Sequence, residues 1–162
     1  MRGPMKKRKL YLDTSILGFA LNRHDLLRQA EANRLLRQIR AGFFLGGYSF
    51  VTEKEIAEAP PRIARRLQRK IVWASLRRVR VRSRSQAHEL AEQYCHAAVI
   101  PREYFDDALH IAIATLWRAD ALVSYNFTHI VRLDTMVEVN VINRDEGLAE
   151  VFLCQPREVL LP

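Results

Sequence analysis

An aspartate lies at the point where an apolar stretch of the chain gives way to a pair of hydroxyl residues. Asp13 directly follows Leu10–Leu12 and precedes Thr14 and Ser15. The apolar stretch predicts a buried strand, and the apolar pattern from Ile16 to Leu21 predicts a helix whose start Thr14 or Ser15 would cap. Ligands of open α/β sheets bind outside the carboxyl ends of the strands. Asp13 is therefore placed to bind a metal or a substrate, although an aspartate here can also be a plain helix cap.

A second acidic site lies far along the chain, in a strongly apolar helix predicted from Pro101 to about Trp117. Asp106 and Asp107 stand side by side near its start. Neighbouring helix positions point about 100° apart, so both carboxylates cannot face one site equally. We favour Asp107 as the functional residue because it directly precedes the segment Ala-Leu-His-Ile-Ala.

Carboxylates from distant segments are what a magnesium or manganese site requires, because these ions prefer hard oxygen ligands. Such an ion polarises a phosphate, lowers the pKa of an attacking water and stabilises the leaving oxygen. Glu55 is a third candidate ligand, but Glu53 and Glu58 lie close to it in the sequence. The segment alone leaves open which of the three binds a ligand and which are surface charges.

The positive charge of the chain is concentrated in one segment. Ten Lys and Arg residues and no Asp or Glu lie between residues 62 and 84, in a chain of net charge +8. A localised basic surface is typical of a nucleic-acid binder. A solvated helix face, an arginine-protected edge strand or an acidic protein partner are the alternatives. The arginines predicted to contact nucleic acid are Arg62, Arg65, Arg66, Arg69, Arg78, Arg80 and Arg82.

Strand and helix patterns alternate along the chain, which predicts a parallel α/β sheet flanked by helices. The predicted strands are 9–12, 43–48, 78–82, 121–123 and 151–154. The helices between them are predicted at 14–21, 26–39, 52–59, 61–75, 85–97 and 101–117. Composition alone permits a further strand at 137–142.

A chain of 162 residues is expected to form one domain, here residues 9–162, after a flexible basic tail at 1–8. No apolar run is long enough to span a bilayer, so we expect no membrane contact. Cys95 and Cys154 have neither CxxC nor zinc-ligand spacing. They predict free thiols in a reducing compartment, and hence a cytoplasmic protein.

Four of these segments together resemble the PIN-domain family of metal-dependent ribonucleases, and specifically its VapC-like toxin branch. The matching pieces are Leu-Asp-Thr-Ser-Ile at 12–16, Glu-Ile at 55–56, Asp-Asp-Ala-Leu-His-Ile-Ala at 106–112 and Leu-Val-Ser-Tyr-Asn-Phe-Thr-His-Ile at 122–130. They occur in the family's order and span nearly the whole chain. The resemblance implies a PIN-like three-layer α/β/α fold with a central, mainly parallel sheet, and a helix rather than a strand at 137–142.

The resemblance also implies which residues form the site. Asn126 stands where the family often has a fourth acidic residue, so whether one or two ions bind stays open. His110 is expected to be a core histidine and His129 a loop residue, and both are left out of the catalytic set. The catalytic set is Asp13, Glu55, Asp107 and Asn126, of which the first three would bind Mg²⁺ or Mn²⁺. Thr14, Asp106 and Ser124 are expected to support these ligands.

The function implied is metal-dependent endonucleolytic cleavage of single-stranded RNA, as in the toxin of a type II toxin–antitoxin pair. The expected partners are RNA, a small antitoxin protein and a second copy of the chain in a homodimer. One alternative is a PIN-like module that binds RNA or a protein without cutting. The other is a nuclease that acts on DNA or on structured RNA.

Overall fold

The computed structural model describes residues 6–162, in which five parallel strands form one sheet in the order β3-β2-β1-β4-β5. The prediction of a parallel sheet is confirmed. The predicted N-terminal tail lies outside the described residues for positions 1–5. The strands are β1 (Lys9–Leu12), β2 (Leu45–Tyr48), β3 (Arg77–Arg78), β4 (Ala121–Val123) and β5 (Phe152–Cys154).

Helices cover both faces of the sheet and give the expected three layers. One buried cluster joins the sheet to α1, α2 and α4, and the other joins it to α5, α6 and α7. None of the helices in residues 6–162 has the length and apolar character needed to cross a bilayer. Cys95 and Cys154 are free and buried, as predicted. The helices are α1 (Thr14–Leu21), α2 (Leu26–Arg40), α3 (Phe50–Glu58), α4 (Pro61–Trp73), α5 (Arg84–His96), α6 (Phe105–Leu116) and α7 (Leu133–Asp145).

The strand order reverses direction at the centre of the sheet. From β1 the chain builds outward through β2 and β3, and then returns to the other side of β1 with β4 and β5. The crevice between the carboxyl ends of β1 and β4 is therefore the topological switch point, where open α/β sheets bind their ligands. Asp13 lies there, and its backbone N–H donates to the carbonyl of Val123 at 3.3 Å.

One predicted strand differs from the structure, and the structure decides one segment that the sequence left open. The predicted strand at 78–82 is wrong beyond its first residue: β3 ends at Arg78, and only Val79 N–H still bonds to Tyr48 O, at 2.7 Å. Val79 and Val81 pack into the core while the arginines beside them are exposed, so an alternating pattern arises without a paired strand. Composition permitted a strand at 137–142 and the family resemblance implied a helix; the segment lies within α7, so the helix is confirmed.

Gly47 in β2 has no side chain, which allows Val79 and Trp117 to pack closely against the strand. A Cβ at this position would lie 2.6 Å from Val79 Cγ2 and 2.8 Å from Trp117 Cη2, whereas one at Gly18 would have no atom within 4 Å. We expect Gly47→Ala to lower the free energy of unfolding by about 1–3 kcal/mol through overpacking. Urea denaturation would measure this, and Gly18→Ala, in α1, should be neutral or stabilising because it removes a helical glycine. Equal stability of the two variants would contradict the prediction.

Candidate functional site

Asp13 is the N-cap residue of α1, yet its side chain makes no capping hydrogen bond. The expectation that Thr14 or Ser15 caps this helix is therefore wrong. The carboxylate is buried and accepts hydrogen bonds from Ser15 Oγ at 2.5 Å and from Ser124 Oγ at 2.7 Å. Because it is not used for capping, it is available to the crevice at the switch point.

Burial raises the pKa of the Asp13 carboxyl above its ordinary value, and the negative charge of Glu55 acts in the same direction. The positive charge of His110 and the two hydroxyl donors oppose this change without cancelling it. An ionised Asp13 is thus held at a cost in free energy. A site that holds a carboxylate in this way is typical of function more than of stability.

Glu55 lies in α3 and joins a chain of buried hydrogen bonds. His110 Nε2 donates to Glu55 Oε1 at 3.1 Å, and His110 Nδ1 lies 2.7 Å from the hydroxyl of Tyr11. The Tyr11 hydroxyl is in turn 2.7 Å from Ser49 Oγ. The chain from Ser49 to Glu55 therefore fixes the position of the glutamate side chain.

The electrostatics of this pair favour charges on both partners. Burial alone would raise the pKa of Glu55 and lower that of His110. The hydrogen bond and the attraction between them outweigh burial, so the pKa of Glu55 lies below its usual value and that of His110 above it. His110 is a satisfied buried histidine, as predicted, but it also positions a candidate ligand, which the sequence reasoning missed.

The neighbouring glutamates of α3 do not compete with Glu55. Glu53 accepts two hydrogen bonds from the guanidinium of Arg78, at 2.7 and 2.9 Å, on the surface. Glu58 is exposed. The structure therefore selects Glu55 as the glutamate of α3 that faces the buried network, which the sequence alone left open.

Asp107 contacts a histidine from the loop after β4. His129 Nδ1 donates to Asp107 Oδ2 at 2.9 Å, and the His129 ring packs on Tyr104 with the ring centres 3.9 Å apart. His129 was left out of the predicted set, and its position three residues after Asn126 was the available signal. Asp106 points elsewhere and forms an exposed ion pair with Lys54 at 2.8 Å.

Asn126 and Ser124 organise the loop that carries His129. The side-chain oxygen of Asn126 accepts from His129 N–H at 3.0 Å, and Asn126 N–H donates to Ser124 Oγ at 2.8 Å. Ser124 thereby connects this loop to Asp13. Thr14 Oγ1 is buried and lies near Glu55, where it helps to lower the pKa of that carboxyl.

The three candidate acidic residues have the oxygen ligands that a hard divalent cation prefers. Asp13, Glu55 and Asp107 offer carboxylate oxygens, and within residues 6–162 no Lys or Arg forms an ion pair with any of them. In that same part of the chain, no group of three His, Cys, Asp or Glu side chains is assembled to hold a metal ion. Each carboxylate is instead held separately by hydroxyl or imidazole groups.

The structure divides the basic segment into three different surroundings. Four arginines are exposed on α4 and form no ion pair with a carboxylate of the described residues: Arg62, Arg65, Arg66 and Arg69. Arg78 is paired with Glu53. Arg80 and Arg82 line a cleft with the end of α6. The arginines of α4 and the pair Arg80 and Arg82 are therefore available to a polyanion, whereas the charge of Arg78 is offset by Glu53.

Comparison with known proteins supports the fold. No protein-family model matches the chain, and no curated protein matches it. Its structure is similar to the crystal structure of VapBC2 from Rickettsia felis bound to a DNA fragment from their promoter, with a TM-score of 0.55 and 14% identity. The match covers 90% of this chain and 96% of the other. This likeness confirms the PIN-like α/β fold class that the sequence resemblance implied.

Proposed function

We propose that this chain is a toxin-like PIN nuclease that cleaves single-stranded RNA with the help of Mg²⁺ or Mn²⁺. The observation that carries the proposal is the buried carboxylate of Asp13, which lies at the switch point and makes no capping hydrogen bond. Its pKa responds to the charge of Glu55, and that of His110 responds to both Asp13 and Asp107. The charges of all three predicted acidic residues raise the pKa of His110, which supports their assignment to one site.

Each side chain has a defined task in this proposal. Asp13, Glu55 and Asp107 would hold the ion, which when bound polarises the phosphate and generates the attacking hydroxide. The remaining polar groups orient these carboxylates, because ligands of a metal site are themselves held by outer hydrogen bonds. These orienting groups are Ser15 and Ser124 on Asp13, His110 on Glu55, and His129 on Asp107.

The partners are proposed by analogy. The similar structure holds VapBC2 on a DNA fragment from its promoter. We extend this to a small antitoxin that binds the present chain, to a homodimer of the chain and to a cytoplasmic location. RNA is the proposed substrate, and the unpaired arginines of α4 supply the positive charge that attracts it.

A binding module that does not cut is the second candidate function. It is favoured by the hydrogen bonds that already engage all three carboxylates, and by the amide of Asn126 in place of a fourth carboxylate. Tight RNA binding without cleavage under any metal would support this candidate over the nuclease.

The decisive experiment is cleavage of a mixed single-stranded RNA pool by the purified protein with Mn²⁺, Mg²⁺ or EDTA. We expect metal-dependent cutting that Asp107→Asn reduces at least about a hundredfold, because loss of even an outer partner of a metal site costs 10–100-fold. Asp106→Asn is the matched control. It makes the same chemical change one residue away, in a side chain paired with Lys54 on the surface, and should reduce cutting no more than about twofold.

Two outcomes would contradict the proposal. Cleavage that persists in EDTA or in Asp107→Asn would point to another site or to a contaminant. Preferential cleavage of a DNA strand of matched sequence would favour the DNA-acting alternative.

A further inference from the structure

A cleft of about 460 Å³ lies beside the end of α6, on the α5–α6–α7 side of the protein. It is lined by Arg80, Arg82, Trp117 and Arg118, and by residues 147–149. No acidic side chain lines it. A volume of this size is within the usual range for small-molecule sites.

The charge of the cleft is positive and uncompensated. Arg80, Arg82 and Arg118 are exposed, and within the described part of the chain none of them forms an ion pair with a carboxylate. A fourth cation lies behind Trp117: Lys9 Nζ is 5.2 Å from the centre of a Trp117 ring and donates to the Trp117 carbonyl at 3.1 Å. Like charges gathered in this way favour an anionic ligand.

The cleft is separate from the carboxylate site. Asp107 lies in the first turn of α6 and Trp117 directly follows its last residue, so ten residues at 1.5 Å each separate them by about 15 Å. The chemistry is also opposite, because one site offers oxygen ligands and the other guanidinium donors. A single ligand group cannot satisfy both.

We infer that this cleft binds phosphate groups of a nucleic-acid strand at a distance from the carboxylate site. The guanidinium fork matches phosphate geometry, so each exposed arginine of the cleft can bind a phosphate through two hydrogen bonds. Exposure of the three arginines leaves the cleft accessible to a strand that continues beyond it. The choice of RNA as the strand rests on the proposed function, whereas phosphate binding does not.

The chain allows a direct measurement because it has two tryptophans. In a Trp73→Phe background, Trp117 becomes the sole indole and reports on the cleft by its fluorescence. We would titrate this protein, in EDTA, with a 5′-phosphorylated RNA tetranucleotide, with AMP and with inorganic phosphate. We expect a saturable change in Trp117 emission, with the tetranucleotide binding at least about tenfold more tightly than AMP because it reaches more than one arginine.

Variants of the arginines test the assignment. We expect Arg82→Gln combined with Arg118→Gln to weaken tetranucleotide binding at least about tenfold, since it removes two of the charged donors. Arg23→Gln is the matched control, because Arg23 is exposed and lies outside the cleft, and it should change binding less than about twofold. Circular dichroism would show that each variant is folded.

Three results would overturn the inference: an emission that does not respond to the tetranucleotide, equal affinity in the double variant, or AMP binding as tightly as the tetranucleotide. Because EDTA prevents metal-dependent cleavage, these results are independent of nuclease activity. A protein that binds through the cleft and never cuts would retain this inference while losing the proposed function.

Discussion

The Asp13→Asn variant is expected to lose RNA cleavage at least about a hundredfold and yet to melt at a higher temperature than the parent protein. The loss follows from removal of a charged oxygen ligand, whose effect should exceed the 10–100-fold typical of outer partners. The higher melting temperature follows from removal of a buried charge. Burial raises the pKa of Asp13, which means that the charged carboxylate destabilises the folded protein. A rise of about 2–4 °C corresponds to about 1 kcal/mol in a chain of this length.

The stability difference should depend on pH in a definite direction. Because the pKa of Asp13 is higher in the folded protein than in the unfolded chain, the folded protein binds more protons in the interval between the two values. The contribution of Asp13 to stability therefore decreases as pH rises through that interval and is most unfavourable above it. Asparagine carries no such charge, so the advantage of Asp13→Asn should be largest near neutral pH and shrink as the pH is lowered.

Thermal unfolding with and without Mn²⁺ tests both halves of this prediction without relying on activity. An ion that binds the folded protein raises its melting temperature. The parent protein should show this increase, and Asp13→Asn should show much less of it. Asp134→Asn is a control at a fully exposed aspartate, where Arg132 lowers the pKa to about 2, and should leave cleavage and the response to Mn²⁺ unchanged. An Asp13→Asn protein that melts lower, or that cuts normally, would contradict the assignment.

The fold was largely predictable from sequence because its signals are local. The apolar Leu10–Leu12 segment predicted a buried strand, and the structure confirms it in β1. The strand predicted at 78–82 was wrong because alternation reports which side chains are buried, and burial of Val79 and Val81 does not require a hydrogen-bonded neighbour. Alternation of apolar and polar residues therefore predicts which side chains are buried more reliably than it predicts a hydrogen-bonded strand.

The candidate site was less predictable because its contacts join distant segments. The hydrogen bond from His110 to Glu55 connects positions 55 residues apart, and that from His129 to Asp107 connects positions 22 apart. No spacing rule within one helix or loop predicts such pairs. Carboxylates could be recognised as candidate ligands by their type, but the groups that orient them become visible only when α3, α6 and the loop after β4 are packed together.

A variant in which glutamine replaces all four arginines of α4 is expected to bind RNA at least about tenfold more weakly at low salt. The four substituted residues are Arg62, Arg65, Arg66 and Arg69. Each phosphate contact with a single strand contributes about 0.7 to the slope of log K against log salt concentration, so four lost contacts should reduce that slope by about 3. Helix α4 should stay intact, because glutamine and arginine have similar helix propensities. Like charges four residues apart, as in Arg62 and Arg66, also disfavour the helix, so their removal should not destabilise it.

Fluorescence anisotropy of a labelled single-stranded RNA, in EDTA and over a range of salt concentrations, would measure this slope. Arg78→Gln combined with Glu53→Gln is a charge-neutral control, because each side chain already offsets the other, and it should leave the slope unchanged. If the α4 variant also kept the parent slope, its arginines would be a solvated helix face and RNA would be held elsewhere. A reduced slope in the α4 variant alone would instead assign part of the attraction of RNA to these four arginines. No carboxylate of the described residues neutralises them, so they add to the positive field that steers a polyanion to the protein.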